Sequence, residues 1–200
     1  MKKLFEIRKH LKIYNLDGYI IPKNDEFFSE YAYPNRLKTI SNFSGSAGFA
    51  IITNSKNYLF IDGRYLIQSK MESGRNFKII EIPHTYPKDI LNYKNFKRIG
   101  YDPKIFTSST LKQYFGNKYN LIPINKNLVD IISTEKKLKV NLFFKIDDKI
   151  AGENISSKIN RLYRILKKNK SDTIFVSAPE NVAWLLNIRG GDNPNSPIPN

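Results

Sequence analysis

The sequence contains no cysteine, only two histidines and a single tryptophan among its 200 residues. The lack of cysteine excludes disulfide bonds, thiolate zinc sites and thiol nucleophiles. The histidines, His10 and His84, are far apart in the chain, and no serine lies in a Gly-x-Ser-x-Gly turn, so the residues do not predict a serine triad. Small acidic groups such as Asp147-Asp148 are typical of solvated charge. We therefore expect no catalytic residue and no metal site in this chain.

Long apolar runs are also missing. No stretch of about 18 apolar residues occurs, so the sequence predicts no transmembrane helix. The chain begins with lysines and apolar residues, but Glu6, Arg8 and Lys9 interrupt the apolar segment that a signal peptide needs. The composition is nevertheless 40% hydrophobic, which is enough to bury a core. We expect a globular protein located in the cytoplasm.

Acidic residues are few, with 18 against 33 basic residues, which gives a net charge of +15. Such a charge could attract nucleic acid or an anionic membrane surface. However, most of the basic residues are scattered lysines rather than arginines, and arginine is the usual side chain for bidentate contacts to bases and phosphates. We interpret the charge as a solvated surface and expect no nucleic-acid or membrane partner. A basic nucleic-acid-binding or stand-alone interaction module remains the alternative.

Periodicity predicts an alternation of helices and strands in the first two thirds of the chain. Apolar residues at helical spacing predict a helix over residues 4–13, and Pro22 to about residue 40 is predicted as a loop. The other predicted helices span 64–73, 87–93 and 107–115, and the predicted strands span 19–21, 49–53, 58–61, 77–82, 98–101 and 119–124. Residues 54–57 join two strands as a hairpin. This order predicts an α/β fold with a layered, mixed sheet flanked by helices.

The pattern weakens over residues 125–150, where we place a domain boundary. Residues 1–128 are predicted to form a first domain, and residues 129–200 the start of a second, similar α/β domain. The second part has a predicted helix over 153–168, a strand over 173–176 and a helix over 179–186. One strand and two helices are too few elements for a closed core, so we expect this second domain to be incomplete.

Two motifs in the first part carry the candidate chemistry. Ser44-Gly45-Ser46-Ala47-Gly48 leads into a strand, whereas a phosphate loop leads into a helix, so we interpret it as a close backbone approach. Asp62-Gly63-Arg64-Tyr65 ends a strand and begins a helix, which Asp62 can cap. Arg64 is placed where α/β folds bind ligands, and its guanidinium suits a carboxylate or a peptide carbonyl. The alternative for Arg64 is a structural salt bridge.

The motifs and their order resemble the N-terminal region of Xaa-Pro aminopeptidase (aminopeptidase P), in the creatinase/prolidase family of "pita-bread" metallopeptidases. The resemblance covers about residues 4–192. It is carried by Glu30-Tyr31, the segment 40–48, the strand 50–53, Ile61-Asp62-Gly63-Arg64-Tyr65, Gln68, and the segment 183–192 with its Trp-Leu-x-Asn-Ile-Arg-Gly pattern.

The resemblance implies an enzyme that removes the N-terminal residue before a proline. In this family the reaction uses two divalent metals, manganese, which are bound in a C-terminal catalytic domain. Residues 1–128 would be the first creatinase N-terminal-like domain and residues 129–200 an incomplete second one, with the catalytic metal domain absent. We therefore expect no cofactor in this chain, no activity of the chain alone, and substrate-end and subunit contacts as its contribution. Arg64 matches the family's substrate-contacting arginine. The implied partners are a peptide with proline at its second position and a second subunit, as a homodimer.

Overall fold

In the computed structural model, the chain divides into two compact units, residues 1–136 and 137–200. The structure describes residues 2–29, 31–92, 94–133, 141–193 and 196–199. None of the helices in these ranges has the length and apolar character that a membrane-spanning segment needs.

Unit 1 contains six strands and seven helical segments among its described residues. The strands are β1 (Gly18–Pro22), β2 (Gly48–Thr53), β3 (Asn57–Asp62), β4 (Lys78–Ile82), β5 (Arg98–Tyr101) and β6 (Asn120–Pro123). The α-helices are α1 (Lys2–Ile13), α2 (Arg36–Ser41), α3 (Leu66–Ser73), α4 (Pro87–Ile90), α5 (Ser108–Phe115) and α6 (Leu128–Ile132), and Gly63–Tyr65 forms a 3-10 turn ahead of α3.

The six strands form one mixed sheet in the order β4-β3-β2-β1-β5-β6. Strand β2 is antiparallel to both β1 and β3, whereas β1–β5, β3–β4 and β5–β6 are parallel pairs. The layered, mixed α/β fold predicted from the sequence is therefore confirmed. Because β2 runs opposite to its neighbours, its first residues lie at the edge where β1, β3 and β4 end.

Side chains of the central strands alternate between two cores, one on each face of the sheet. One core receives Ile21, Ala50 and Leu59 and packs against α1, α2 and α6. The other core receives Ile20 and Phe60 and packs against residues of α4 and α5. Helices on both faces explain why the strands are continuous apolar runs rather than alternating ones.

The loop predicted from Pro22 to about residue 40 is wrong in its last part, since α2 occupies Arg36–Ser41. The Asn35 side chain caps this helix by accepting a hydrogen bond from the Lys38 backbone N–H at 3.0 Å. Helix α6 was also not predicted, and the boundary placed after residue 128 falls inside it. Leu128 and Val129 of α6 are buried in the core of unit 1.

Unit 2 contains two short strands, β7 (Phe144–Lys145) and β8 (Ile188–Arg189), which pair antiparallel. Its helices are α7 (Asp148–Ala151), α8 (Ile155–Lys168) and α9 (Pro179–Leu185). The strand predicted over 173–176 is wrong, because the structure gives these residues no strand pairing, and Phe175 is exposed. A strand needs a neighbour for its backbone hydrogen bonds, and apolar character alone does not provide one.

Many large apolar side chains of unit 2 are exposed. Ile159 and Ile165 on α8 are both exposed. Among the described residues of unit 2, Ala183 is the one fully buried hydrophobic side chain. Unit 2 therefore holds little apolar core of its own, in contrast to the two cores of unit 1.

Candidate functional site

Asp62 and Arg64 form an ion pair at the end of β3. The Asp62 carboxylate accepts hydrogen bonds from the Arg64 backbone N–H and from its Nε, both at 2.9 Å. These bonds hold the pKa of Asp62 below its ordinary value, and the bond from the guanidinium has a larger effect than the one from the backbone. The cap predicted for Asp62 is thus present. The same carboxylate orients the Arg64 side chain, which is 72% exposed.

The ion pair lies at the edge of the sheet where the parallel strands end. Asp62 is paired in register with Ile82, the last residue of β4, and Gly48 at the start of β2 is paired with Ile61. In open α/β sheets, ligands bind outside the carboxyl ends of the strands. The exposed guanidinium of Arg64 is therefore placed at the edge that such folds use for binding.

The two motifs singled out in the sequence meet at this edge. The Ser46 hydroxyl is 2.8 Å from the Tyr65 hydroxyl, the residue after Arg64. At the other end of the loop, Ser44 donates to Glu72 through both its N–H and its hydroxyl, each at 2.7 Å. Partial burial raises the pKa of Glu72, but these bonds and one from Gln68 outweigh it and lower the pKa below its ordinary value. Glu72 is therefore a charged acceptor that fixes the loop to α3.

Two glycines of this loop are required by close approaches. A Cβ on Gly45 would lie 2.3 Å from the Phe43 ring. Gly48 has a φ of +149°, and a Cβ there would lie 2.7 Å from the backbone oxygen of Phe60. The interpretation of Ser44–Gly48 as a close backbone approach is confirmed, since the loop passes directly against neighbouring backbone and an aromatic ring.

A second charged cluster fixes the long loop that follows β1, and no motif in the sequence indicated that these residues come together. Arg36 is buried, and its guanidinium forms paired hydrogen bonds with Asp130 at 2.8 and 2.9 Å and with Glu26 at 2.9 and 3.3 Å. Burial raises the pKa of Glu26, but the hydrogen bonds and charge of Arg36 outweigh it and the pKa lies below its ordinary value. The cluster ties the loop to α6.

Asp25 shapes the tip of the same loop. It is buried, and its Oδ1 accepts hydrogen bonds from the backbone N–H groups of Phe27 and Ser29, both at 3.0 Å. Within this turn Phe28 adopts a φ of +59°, in the left-handed region, and its ring is half exposed. The sequence offered no signal for this conformation, because bulky residues rarely adopt it.

In unit 2, the segment with the Trp-Leu-x-Asn-Ile-Arg-Gly pattern is organised by a buried lysine. The Lys158 Nζ donates to the Trp184 carbonyl and to the Asn187 Oδ1, both at 2.6 Å, and lies 4.2 Å from the centre of the Trp184 ring. Asn187 has a φ of +49° and donates to the Glu153 carbonyl. The segment thus forms an ordered turn, and Lys158, which holds it, was not identified from the sequence.

The described residues do not form a metal centre. No three or more His, Asp or Glu side chains converge among them in a way that could hold a metal ion. His84 lies 3.9 Å from Glu81, and this pair is largely exposed. The chemistry that the site can supply is hydrogen-bond donation from Arg64 to a carbonyl or carboxylate oxygen.

The family model described as the creatinase/prolidase N-terminal domain matches residues 3–131, and a second model of the same description matches residues 134–200. The chain belongs to the creatinase/prolidase N-terminal domain family. The resemblance inferred from the ordered motifs is thereby confirmed. The organisation as residues 1–128 and 129–200 of a longer, two-domain N-terminal region stays a prediction.

Relatives of this creatinase/prolidase chain are named as Xaa-Pro aminopeptidases. A probable Xaa-Pro aminopeptidase P of Laccaria bicolor is 34% identical over 210 residues, covering 98% of this chain and 33% of the relative. One from Coprinopsis cinerea is 32% identical over 215 residues, covering 98% of this chain and 34% of the relative. The chain thus spans about a third of the length of the relatives it matches, and it corresponds to their N-terminal part.

The fold of the creatinase/prolidase chain is shared with a solved relative. The X-prolyl aminopeptidase from Caenorhabditis elegans aligns with a TM-score of 0.80 and 28% identity over 98% of this chain and 36% of that one. That protein is described as a cytosolic enzyme with a di-nuclear active site. The comparisons give no support to the alternative of a nucleic-acid-binding module.

Proposed function

We propose that this chain serves as the N-terminal region of a metal-dependent Xaa-Pro aminopeptidase, in which Arg64 contacts the peptide whose second residue is proline. The observation that carries the proposal is the exposed Arg64 guanidinium at the carboxyl edge of the sheet, held there by Asp62 at 2.9 Å, in a chain that matches Xaa-Pro aminopeptidases over 98% of its length.

The pairing with Asp62 suits a binding role. It fixes the direction of a long side chain before any ligand arrives, which reduces the conformational entropy lost on binding. A peptide carbonyl or carboxylate can then accept from a positioned, permanently charged donor. The salt bridge and the substrate contact are thus compatible, because the same ion pair that orients Arg64 leaves its side chain exposed.

The remaining expectations belong to the same proposal. Residues 1–128 form the first creatinase N-terminal-like domain, residues 129–200 begin a second one, and the two divalent metals, manganese, belong to a catalytic domain that lies outside these residues. We place the enzyme in the cytoplasm as a homodimer. The exposed apolar side chains Ile67 and Met71 on α3 continue from Arg64 along one face of the helix and are suited to a contact with another domain or subunit.

Binding of the peptide Ala-Pro-Gly-Gly to the 200-residue chain, followed by NMR shifts of the protein amides, tests the Arg64 contact. Replacing Arg64 by alanine should weaken binding about tenfold or more, because a hydrogen bond to a charged group contributes about 1.5–3 kcal/mol. Arg64→Lys should bind the peptide more tightly than Arg64→Ala but more weakly than the parent, since an ammonium lacks the planar fork of a guanidinium. The control is Arg75→Ala, another exposed arginine of unit 1, which should change binding less than twofold.

Two results would contradict the proposal. Unchanged peptide affinity in a folded Arg64→Ala variant would leave only the structural salt bridge. Release of alanine from the peptide by the 200-residue chain with added Mn²⁺, abolished by a chelator, would show that the reacting groups lie within these residues and that the catalytic domain has been misplaced.

A further inference from the structure

A cavity of about 290 Å³ opens at the same edge of unit 1 as Arg64. It lies where β1 ends, where β2 begins and where β4 ends. Its apolar lining consists of Phe28, Phe49, Ile82 and Tyr114, and its polar rim includes Lys23, Asn24 and Ser46. A concave, mostly apolar space with a few polar groups is the usual form of a small-ligand site, and this volume is near the lower end of about 300–1,000 Å³ for such sites.

The aromatic wall is formed in advance by stacking. Phe49 stacks on Phe60 with ring centres 4.6 Å apart and on Tyr114 at 4.3 Å. Tyr114 also stacks on Tyr86, whose hydroxyl accepts a hydrogen bond from Gln113 at 2.9 Å. Four rings fixed against one another give the cavity a rigid surface of the kind that favours contact with a further aromatic ring.

Phe28 also lines the cavity, and its backbone conformation is unfavourable for a bulky residue. The residue is held at a φ of +59° by the Asp25 turn, yet its side chain is 53% exposed. A bulky residue in the left-handed region is strained, and a half-exposed ring gains little burial in return. Strain of this kind persists mainly where the surrounding structure holds a residue for function.

The cavity is connected to the Arg64 site through one residue. Ser46 lies on the cavity rim, and its hydroxyl is 2.8 Å from the hydroxyl of Tyr65, next to Arg64. A peptide that contacts Arg64 can therefore extend along this edge toward the cavity. Asn24 on the rim is fixed by its own hydrogen bond to the Ile105 carbonyl at 2.9 Å, so both ends of the rim are held in place.

We propose that this cavity binds an aromatic side chain, together with the adjoining peptide group, from the peptide that Arg64 contacts. The assignment of a peptide as the source rests on the proposed function, whereas the preference for an aromatic ring rests on the cavity itself. The cavity is then a specificity site, which favours peptides with an aromatic residue among those that begin with Xaa-Pro.

The first experiment uses the 200-residue chain and two probes, N-acetylphenylalaninamide and N-acetylglycinamide. NMR shifts of the protein amides follow each titration. We expect the phenylalanine probe to shift signals of residues that line the cavity, such as Ser46 and Ile82, and the glycine probe to leave them unchanged. Absence of binding by the phenylalanine probe at millimolar concentration to a folded chain would overturn the proposal.

Phe28 and Phe27 provide a matched pair of variants. Both are half-exposed phenylalanines of the same loop, with 53% and 50% exposure, but Phe27 lies outside the cavity lining that the structure describes. Phe28→Gly should weaken binding of the phenylalanine probe at least tenfold without lowering the unfolding midpoint, because glycine accepts a positive φ. Phe27→Gly should change the affinity less than twofold. Equal affinities for the parent and both variants would overturn the proposal.

Peptides separate this proposal from the Arg64 contact. Ala-Pro-Gly-Phe should bind more tightly than Ala-Pro-Gly-Gly, and Phe28→Gly should abolish the difference. Arg64→Ala should weaken both peptides but leave N-acetylphenylalaninamide unaffected. If Arg64→Ala has no effect and Phe28→Gly still abolishes the difference, the cavity is supported and the Arg64 contact fails. If Arg64→Ala weakens both peptides and the two peptides bind the parent equally, the Arg64 contact is supported and the cavity proposal fails.

Discussion

Replacing Arg36 by methionine should destabilise unit 1 substantially. The Arg36 side chain is 6% exposed, and it forms paired hydrogen bonds with two carboxylates, Asp130 and Glu26. Methionine fills much of the same volume but removes the charge and all of these donors. The two carboxylates would then lie near each other without the cation that neutralises them.

The size of the effect follows from the exposure of the partners. Breaking a fully buried ion pair costs about 3–5 kcal/mol, whereas an exposed pair contributes about 0.2–1 kcal/mol. Here the cation is buried, but Glu26 and Asp130 are 39% and 41% exposed and can regain water. We therefore expect Arg36→Met to lower the free energy of unfolding by about 2–3 kcal/mol, between these limits. Asp130→Asn should cost about 1 kcal/mol, since Arg36 keeps Glu26.

Urea unfolding of the 200-residue chain measures this change. Near-UV circular dichroism of the tyrosines reports mainly on unit 1, because Tyr163 is the one tyrosine outside it. Fluorescence of the single tryptophan, Trp184, reports on unit 2. Lys9→Met is the control, because Lys9 and Glu6 form an exposed ion pair at 2.9 Å. The control should cost less than about 0.5 kcal/mol. A cost for Arg36→Met as small as this would refute the reasoning.

The pH dependence gives a second check. The pKa of Glu26 is lowered in the folded state. The charged Glu26 therefore adds to the free energy of unfolding above the ordinary glutamate pKa, and this contribution is lost as the pH falls through the lowered pKa of the folded state. The difference in stability between the parent and Arg36→Met should therefore be largest near neutral pH and shrink below about pH 4. A difference that stays constant down to pH 3 would mean that Glu26 does not contribute through its charge.

Three further predictions concern the loop and unit 2. Gly48→Ala should destabilise unit 1 by more than about 1 kcal/mol in urea, since its φ is positive and its Cβ would meet backbone. Glu72→Gln should remove up to about 1 kcal/mol of stability near neutral pH and less in acid, because the bonds from Ser44 lower the Glu72 pKa. Lys158→Met should destabilise unit 2 by about 2–4 kcal/mol in the Trp184 fluorescence transition.

Strands of unit 1 were predictable because each contains a short apolar run bounded by turn residues, and β1, β2 and β3 are buried along most of their length. Strand β2, Gly48–Thr53, and strand β3, Asn57–Asp62, match the predicted hairpin within a residue or two. The short helices α2 and α6 were not predicted, since six and five residues carry little periodicity, whereas the shorter α4 begins at a proline. They form because packing on the sheet stabilises them, and that packing becomes visible only in three dimensions.

The candidate site was predictable in its residues but not in its connections. The position of Arg64 after a strand and the capping role of Asp62 follow from local sequence. The hydrogen bond between Ser46 and Tyr65 joins residues 19 positions apart, so it depends on how β2 and β3 pair. The left-handed Phe28 was unpredictable for another reason, because local propensity opposes it and only the buried Asp25 turn enforces it.

The Arg36 cluster and the cavity are coupled through one loop. Arg36 binds Glu26 at 2.9 Å, and Glu26 is only two residues before Phe28, whose ring forms a wall of the cavity. Loss of the Arg36 cluster should make this loop mobile while the sheet stays folded. The stacked rings of Phe49 and Tyr114 should keep their positions, because they belong to the core and not to the loop. Arg36→Met should therefore weaken binding of N-acetylphenylalaninamide several-fold at temperatures where unit 1 remains folded. If binding is unchanged while the unfolding free energy falls by the expected amount, the Asp25 turn alone holds Phe28 in place, and the cluster stabilises the unit without supporting the cavity.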